Sequence, residues 1–306
     1  MTIAAERRRE RGYARARQPQ LNAELAKLDR TNALVSVAHA GVYLAQLWFV
    51  PLTVWWLAAQ GWSFYPLAVL TGGLALLWQA SRLRALENLV HDGAHLNWSR
   101  RNKPLNDVLV DILVGAPVMQ VVQLYRAAHG FHHGGFGSVL DPCMKRAVMK
   151  GEITRGNPLF VRVGAALGIL PELAFEYYRS QFTGTKQGPL RFVLWHLLLV
   201  LVPYSLLLGA PAAALLWITF WGIPFIVVLP LVRALAESEE HDYDKEGGEL
   251  QATFTNDGPI WRTFVHPAGD AWHAAHHVRM TVPAWKVKRL HRVLAQHMPE
   301  YRATLD

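Results

Sequence analysis

The chain has 306 residues, of which 52% are apolar and only 18% are charged, and its formal net charge is +8. So small a charged fraction argues against an ordinary soluble domain. The single cysteine, Cys143, excludes an intramolecular disulfide and an iron–sulfur cluster held by this chain alone, so electrons for any redox chemistry must come from another protein.

Residues 1–32 form a basic segment before the first apolar block. The run from Glu6 to Arg11 holds four arginines, but no short apolar core with a cleavage site follows it, so we expect the run to be retained rather than removed as a signal peptide. We interpret residues 1–32 as a cytosolic arm that contacts anionic lipid. The positive charge then requires no nucleic-acid partner.

Four blocks without Asp, Glu, Lys or Arg predict four transmembrane helices rather than the buried helices of a globular core, because they are long and repeated. Their connections, near Gly61 and Pro211, are short and uncharged, so the helices form two hairpins. All Lys and Arg residues then lie on one side, which the positive-inside rule assigns to the cytoplasm of a cell inner or plasma membrane. The predicted spans are residues 33–59, 64–80, 192–209 and 212–232, with an interfacial belt at Trp48, Trp55, Trp56 and Trp62.

Nine of the 14 histidines occur in spaced groups outside these blocks. If the second span continues as a helix, His91 lies roughly 18 Å beyond Gln79. If the fourth span continues in the same way, His241 lies roughly 12 Å beyond Arg233. Imidazole is the commonest protein ligand for metals, and nitrogen-rich pairs of metals suit oxygen chemistry on iron. We therefore predict that two metal ions are bound by His91, His95, His129, His132, His133, His241, His273, His276 and His277.

Between the hairpins, apolar residues from Leu105 to Leu113 recur at helical spacing, which predicts a helix along the membrane surface that Pro117 interrupts. The other histidines lack ligand spacing, and a lone imidazole more often forms a local hydrogen bond. His39 and His196 lie in spans and either pack there or line a substrate tunnel. His266 is near enough to the last group to support it from outside. The remaining two are His291 and His297.

Three histidine motifs resemble those of the membrane fatty-acid desaturase and hydroxylase superfamily, over roughly residues 33–295. They are HxxxH at residues 91–95, HxxHH at 129–133 and HxxHH at 273–277. The flanking sequences Leu105-Asn106-Asp107 and Thr281-Val282-Pro283 also resemble those of the desaturases. The resemblance implies an all-α integral membrane protein of four transmembrane helices in two hairpins. A cytosolic helical cap, residues 82–190 and 233–306, would hold two iron ions, with dioxygen as co-substrate, and residues 33–306 would form one domain.

In that family an additional histidine follows the last span, and His241 stands at the matching place. Stearoyl-CoA desaturases carry an asparagine one helical turn earlier, whereas this chain has Glu237. Glu237, and less so Glu240, is therefore a candidate metal ligand or hydrogen-bond acceptor for imidazole. The alternative is that both are acids of a helix surface.

The function that these features predict is oxygen-dependent desaturation of a fatty-acyl or other lipid-like chain by hydrogen abstraction. Hydroxylation of an acyl chain, alkane or lipid-like molecule is the alternative, since the histidine pattern is common to both. A membrane metal transporter and a soluble zinc hydrolase fit less well, because the histidines lie outside the spans and exceed a catalytic zinc site. An external ferredoxin or cytochrome b5 with a reductase would supply electrons. This electron donor would dock on the basic residues Lys286, Lys288, Arg289 and Arg292. The alternative is that these residues form a solvated or lipid-facing helix surface.

Overall fold

A computed structural model describes residues 19–61, 65–144, 151, 153–246 and 248–305, and for residues 19–20, 65–69 and 180–184 it describes the backbone alone. The arginine-rich run at residues 6–11 and Trp62 of the predicted aromatic belt lie outside the described residues. The described chain is all-helical apart from one isolated antiparallel bridge between His241 and Thr253.

The described chain contains twelve α-helices, two of which, Gln187–Leu208 and Ala210–Glu240, include π-helical turns. They are α1 (Pro19–Leu28), α2 (Ala33–Ala59), α3 (Tyr65–Ala94), α4 (Lys103–Val110), α5 (Val122–Gly135), α6 (Leu159–Gly168), α7 (Leu170–Gly184), α8 (Gln187–Leu208), α9 (Ala210–Glu240), α10 (His273–Val278), α11 (Ala284–His297) and α12 (Pro299–Arg302).

Three described helices, α2, α8 and α9, are long and apolar enough to cross a bilayer. Only 17% of the most apolar stretch of α2 and of α8 is buried inside the protein. Large side chains such as Phe49 and Leu206 are accordingly exposed, as a lipid-facing surface requires. The protein is therefore an integral membrane protein.

A fourth candidate span is bent. The helical segment Lys103–Val118 and the helix α5 are long and apolar enough to cross a bilayer only when they are taken together. Their axes differ by 88°. The predicted interruption at Pro117 is confirmed, because a tight turn at Ala116–Val118 ends at Met119 with a φ of +61°. Of the second predicted span, residues 64–80, residue 64 lies outside the described residues and the rest forms the first part of α3, which is not among these three helices.

Polar contacts inside the apolar bundle hold the helices in register. The amide of Gln79 on α3 is fully buried, and its Nε2 donates to the Leu47 carbonyl at 3.0 Å and to the Phe220 carbonyl at 3.1 Å. An amide without partners would be costly in an apolar medium. Gln79 thus joins α2, α3 and α9.

Two long helices carry histidine beyond the apolar bundle, as the sequence predicts. The helix α3 runs unbroken from Tyr65 to Ala94 and includes His91. The helix α9 ends at Glu240, one residue before His241, whose backbone is extended. Both helices therefore extend past their apolar segments to the histidines.

The C-terminal helices and α1 form a second, smaller core at this end of the bundle, in which Leu28 packs with Leu290 and Leu294. The Nζ of Lys286 donates to the carbonyls of Leu28 at 3.2 Å and Arg30 at 2.6 Å. Residues 19–30 of the predicted arm are therefore folded onto α11.

Candidate metal centre

The nine clustered histidines of the sequence meet in the interior, where α3, α5, the end of α9 and α10 come together. Their side chains are buried or half-buried, and they form two groups in each of which one ligating atom per residue lies within 4.8 Å of every other. The first group is His91, His95, His129, His133 and His276, and the second is His132, His241, His273 and His277.

Each HxxHH motif supplies both groups. On α5 and on α10 the last two histidines are adjacent in sequence, and successive helix positions point about 100° apart. His132 therefore belongs to the second group and His133 to the first, while on α10 the order is reversed between His276 and His277. This division places two candidate metal sites side by side rather than one large one.

Ring nitrogens face one another at short distances within each group. In the first group, His91 Nε2 lies 3.0 Å from His276 Nε2, and His129 Nε2 lies 3.1 Å from His95 Nε2. In the second group, His273 Nε2 lies 3.1 Å from both His241 Nε2 and His277 Nε2. Two nitrogens about 3 Å apart, each about 2.1 Å from one ion, subtend an angle of about 90° at that ion, as neighbouring ligands do in octahedral coordination.

The opposite nitrogens of the second group face oxygen atoms. His132 Nδ1 lies 3.0 Å from Asp141 Oδ1, and His277 Nδ1 lies 2.8 Å from Glu249 Oε1. His273 Nδ1 lies 3.3 Å from an oxygen of Asp270. A carboxylate only accepts hydrogen bonds, so the neutral rings of His132 and His277 carry their proton on Nδ1.

The fourth ring, His241, has the same tautomer for a different reason. Its Nδ1 lies 3.1 Å from the Thr253 hydroxyl, which donates its own proton to the Glu249 carbonyl at 2.6 Å. That hydroxyl therefore accepts from His241. The Nε2 lone pairs of His241 and His277 then point at His273 Nε2 from 3.1 Å, an arrangement that a shared cation stabilises.

Burial favours the neutral form that metal binding requires. It lowers the pKa of His276, His277 and His129 well below the ordinary value, and that of His95 to about 3. His132 differs: burial lowers its pKa, but the attraction of Cys143 and the hydrogen bond to Asp141 outweigh it and raise the pKa to about 10. A metal at the second group would therefore displace a proton from His132.

The predicted acidic candidates lie beside the histidines rather than among them. Glu240 is buried in a neighbouring group with His266 and Asp270, and its Oε1 accepts from Arg84 at 2.8 Å. Glu237 belongs to neither histidine group and acts electrostatically on Arg84. A supporting role for both acids stays a prediction.

His266, which we expected near the last group, contacts it through a carboxylate. Its Nδ1 donates to Asp270 Oδ2 at 2.8 Å, and the other oxygen of Asp270 faces His273. Burial raises the pKa of Asp270, but the hydrogen bond from His266 and the charge of Arg84 hold it well below the ordinary value. Asp270 is thus an anion at the edge of the second group.

Two of the other histidines are engaged in hydrogen bonds away from the centre. His196 donates from Nε2 to the Pro117 carbonyl at 3.2 Å and accepts from Trp217 Nε1 at 3.1 Å. His291 contacts the Tyr301 hydroxyl at 2.8 Å. Neither ring is placed to contribute to the two groups.

Sequence reasoning missed the oxygen partners of the second group, namely Asp141, Thr253 and Glu249. Asp270 alone carries a local signal, since it precedes His273 by three residues. Glu249 comes 28 residues before His277, and Asp141 follows His132 in a loop, so no periodic pattern joins either to its histidine.

Comparison with known families agrees with the geometry. The family model described as fatty acid desaturase matches residues 60–306. Among curated proteins, no sequence matches this chain significantly. The chain belongs to the fatty acid desaturase family, and it is therefore a membrane oxidoreductase of the di-iron type, which sets aside the transporter and the soluble zinc hydrolase as interpretations.

Proposed function

We propose that this protein desaturates a fatty-acyl or other lipid-like chain, using dioxygen and two iron ions held by the nine grouped histidines. The observation that carries the proposal is the convergence of nine imidazoles in two adjacent groups, in which three rings hydrogen-bond through Nδ1 to an oxygen atom. A reduced di-iron centre with dioxygen supplies an oxidant that removes hydrogen from an unactivated C–H bond.

The chain's own residues prepare that chemistry in two ways. Burial of the rings excludes water, which strengthens interactions with the ions and protects a reactive oxidant from side reactions. Asp141, Glu249 and Asp270 orient the rings from outside and increase their basicity. The histidines can then hold two ions without reorganising during turnover.

We place the cap and both termini on the cytoplasmic side, because the lysines and arginines lie beyond the apolar blocks on that side. An external ferredoxin or cytochrome b5 with a reductase is the proposed electron source. Of the four basic residues expected to receive it, Lys286 is bonded to backbone carbonyls, whereas Lys288, Arg289 and Arg292 are exposed. We propose these last three as the docking residues.

A product assay tests the function. The purified protein in lipid nanodiscs is given iron, a reducing system and a panel of acyl lipids, with and without oxygen. Mass spectrometry should show an oxygen-dependent loss of two hydrogens. A gain of one oxygen would establish hydroxylation instead, and finding neither product across the panel would refute both.

Two variants link that activity to the histidines. His132→Ala and His276→Ala remove one ring from each group, so each should abolish product and lower the iron content from about two ions per chain. His297→Ala is the matched control, since His297 ends α11 outside both groups. Retained activity in both ligand variants would reject the assignment.

A further inference from the structure

A groove of about 380 Å³ lies between the first turns of α2 and the cap, and no member of the two histidine groups lines it. His39 and Tyr43 line one side, where α2 begins, and Trp285 lines the other. Its wall of Ala268, Gly269 and Ala284 also borders a smaller cavity lined by His91, His273 and His276. Only these three small residues would therefore separate a molecule in the groove from the cavity beside the metal centre.

Arg82 is a buried cation on this groove. Only 5% of the residue is exposed, and its guanidinium donates to Gln46 Oε1 at 3.2 Å, to Ser81 Oγ at 2.7 Å and to the Thr263 carbonyl. These partners are all neutral, and in the part of the chain that the structure describes no carboxylate pairs with Arg82. A buried charge without a counter-ion is strongly unfavourable.

Arg84, two residues farther along the same helix, shows the contrast. It is buried to a similar degree and faces carboxylates of Glu87 at 3.4 Å, Glu240 at 2.8 Å and Asp270 at 3.6 Å. Among the described residues, Arg84 is thus neutralised by acids, whereas Arg82 has only neutral partners, which include the ring of Trp78 at 4.2 Å.

Further polar atoms of the groove also lack partners within the described protein. Arg82 Nε, Trp285 Nε1 and His39 Nδ1 are buried and make no hydrogen bond. The first two can only donate, so together they present N–H groups to an acceptor. Lys288 and Arg262 are exposed and line the same groove, which adds positive charge around it.

We propose that this groove binds the anionic head group, carboxylate or phosphate, of the membrane amphiphile whose chain is oxidised. The inference rests on the proposed function and narrows its substrate class. A head group of this kind accepts several hydrogen bonds, neutralises Arg82 and meets the basic residues around it. Its position near the start of α2 suits a molecule that enters from the bilayer surface.

Binding is tested without metal and without turnover, on the purified protein in neutral detergent. The probes are hexadecyl phosphate, palmitate, the neutral hexadecanol and inorganic phosphate. The two charged amphiphiles should bind at least about tenfold more tightly than hexadecanol, because charge-assisted hydrogen bonds exceed neutral ones in strength. Equal binding of charged and neutral amphiphiles would overturn the proposal, and so would inorganic phosphate binding as tightly as hexadecyl phosphate.

Variants locate the site. Trp285→Phe removes one N–H with little change in shape, and Lys288→Gln removes one charge, so each should reduce the preference for charged amphiphiles about three- to tenfold. Trp56→Phe and Lys103→Gln are the matched controls, both exposed and outside the groove. If the preference survives in both groove variants, or falls equally in the controls, the anion binds elsewhere.

The source of the anion is decided by kinetics. If it belongs to the substrate, Trp285→Phe raises KM for an acyl carboxylate and leaves KM for its methyl ester unchanged. If a neighbouring phospholipid supplies it, Trp285→Phe changes neither KM and instead abolishes the preference for nanodiscs of phosphatidylglycerol over phosphatidylcholine, which overturns the assignment to substrate. A protein that binds hexadecyl phosphate but forms no product would refute the desaturase and leave the anion site standing.

Discussion

Glu249 links the two histidine groups, and replacing it should weaken both candidate metal sites unequally. Its Oε1 lies 2.8 Å from His277 Nδ1 in the second group and 3.9 Å from His133 Nδ1 in the first. Only the shorter distance allows a hydrogen bond, whereas the longer one transmits charge alone. The Glu249→Gln variant keeps an acceptor oxygen and removes the charge.

The size of the effect follows from what the carboxylate does for its ring. Loss of such an outer partner costs about 10- to 100-fold in metal affinity, or about 1.4–2.8 kcal/mol. We expect about tenfold for the ion of the second group in Glu249→Gln and closer to 100-fold in Glu249→Ala, because the alanine variant also loses the acceptor. The first group should lose less. The side chain of Glu249 is 21% exposed, so folding should survive either change.

The assay is iron retained per chain after dialysis against chelators of increasing strength, measured by inductively coupled plasma mass spectrometry. Wild-type protein should release its two ions over one range of chelator strength, whereas Glu249→Gln should release one of them earlier. Asp244→Asn is the control, since it removes a charge from an exposed position in the same loop. Wild-type retention in Glu249→Gln and Glu249→Ala would refute the linking role.

Three further outcomes are expected. Asp141→Asn should weaken one ion only, by about tenfold, because Asp141 contacts His132 alone among the grouped histidines; the same chelator series measures it. Gly269→Ala should destabilise the protein by about 1–3 kcal/mol, since φ is +93° and a Cβ would lie 2.7 Å from the Ala284 carbonyl, whereas Gly164→Ala in open space on α6 should lower the melting temperature little or not at all. Removing metal from the wild type should lower the melting temperature, because ions that bind only the folded protein stabilise it; an unchanged melting temperature would contradict tight binding.

The sequence by itself determined the class of fold and the residues that meet at the centre. Uncharged apolar blocks specify membrane helices locally, because each block must satisfy its own backbone in lipid. Helical periodicity then places histidines four apart on one face, and the absence of helix breakers after Gln79 carries His91 beyond the apolar segment. These features depend on neighbouring residues only, so a pattern in the chain records them.

The tertiary structure alone decided how the histidines divide into two groups, which oxygens face them and which buried arginine has only neutral partners among the described residues. His132 and His133 are adjacent in sequence yet belong to different groups, and Glu249 meets His277 because separate elements pack together. Arg82 and Arg84 look alike in the sequence, but among the described residues only Arg84 faces carboxylates from distant parts of the chain. Contacts across long separations in sequence arise from packing, and packing leaves no periodic pattern to read.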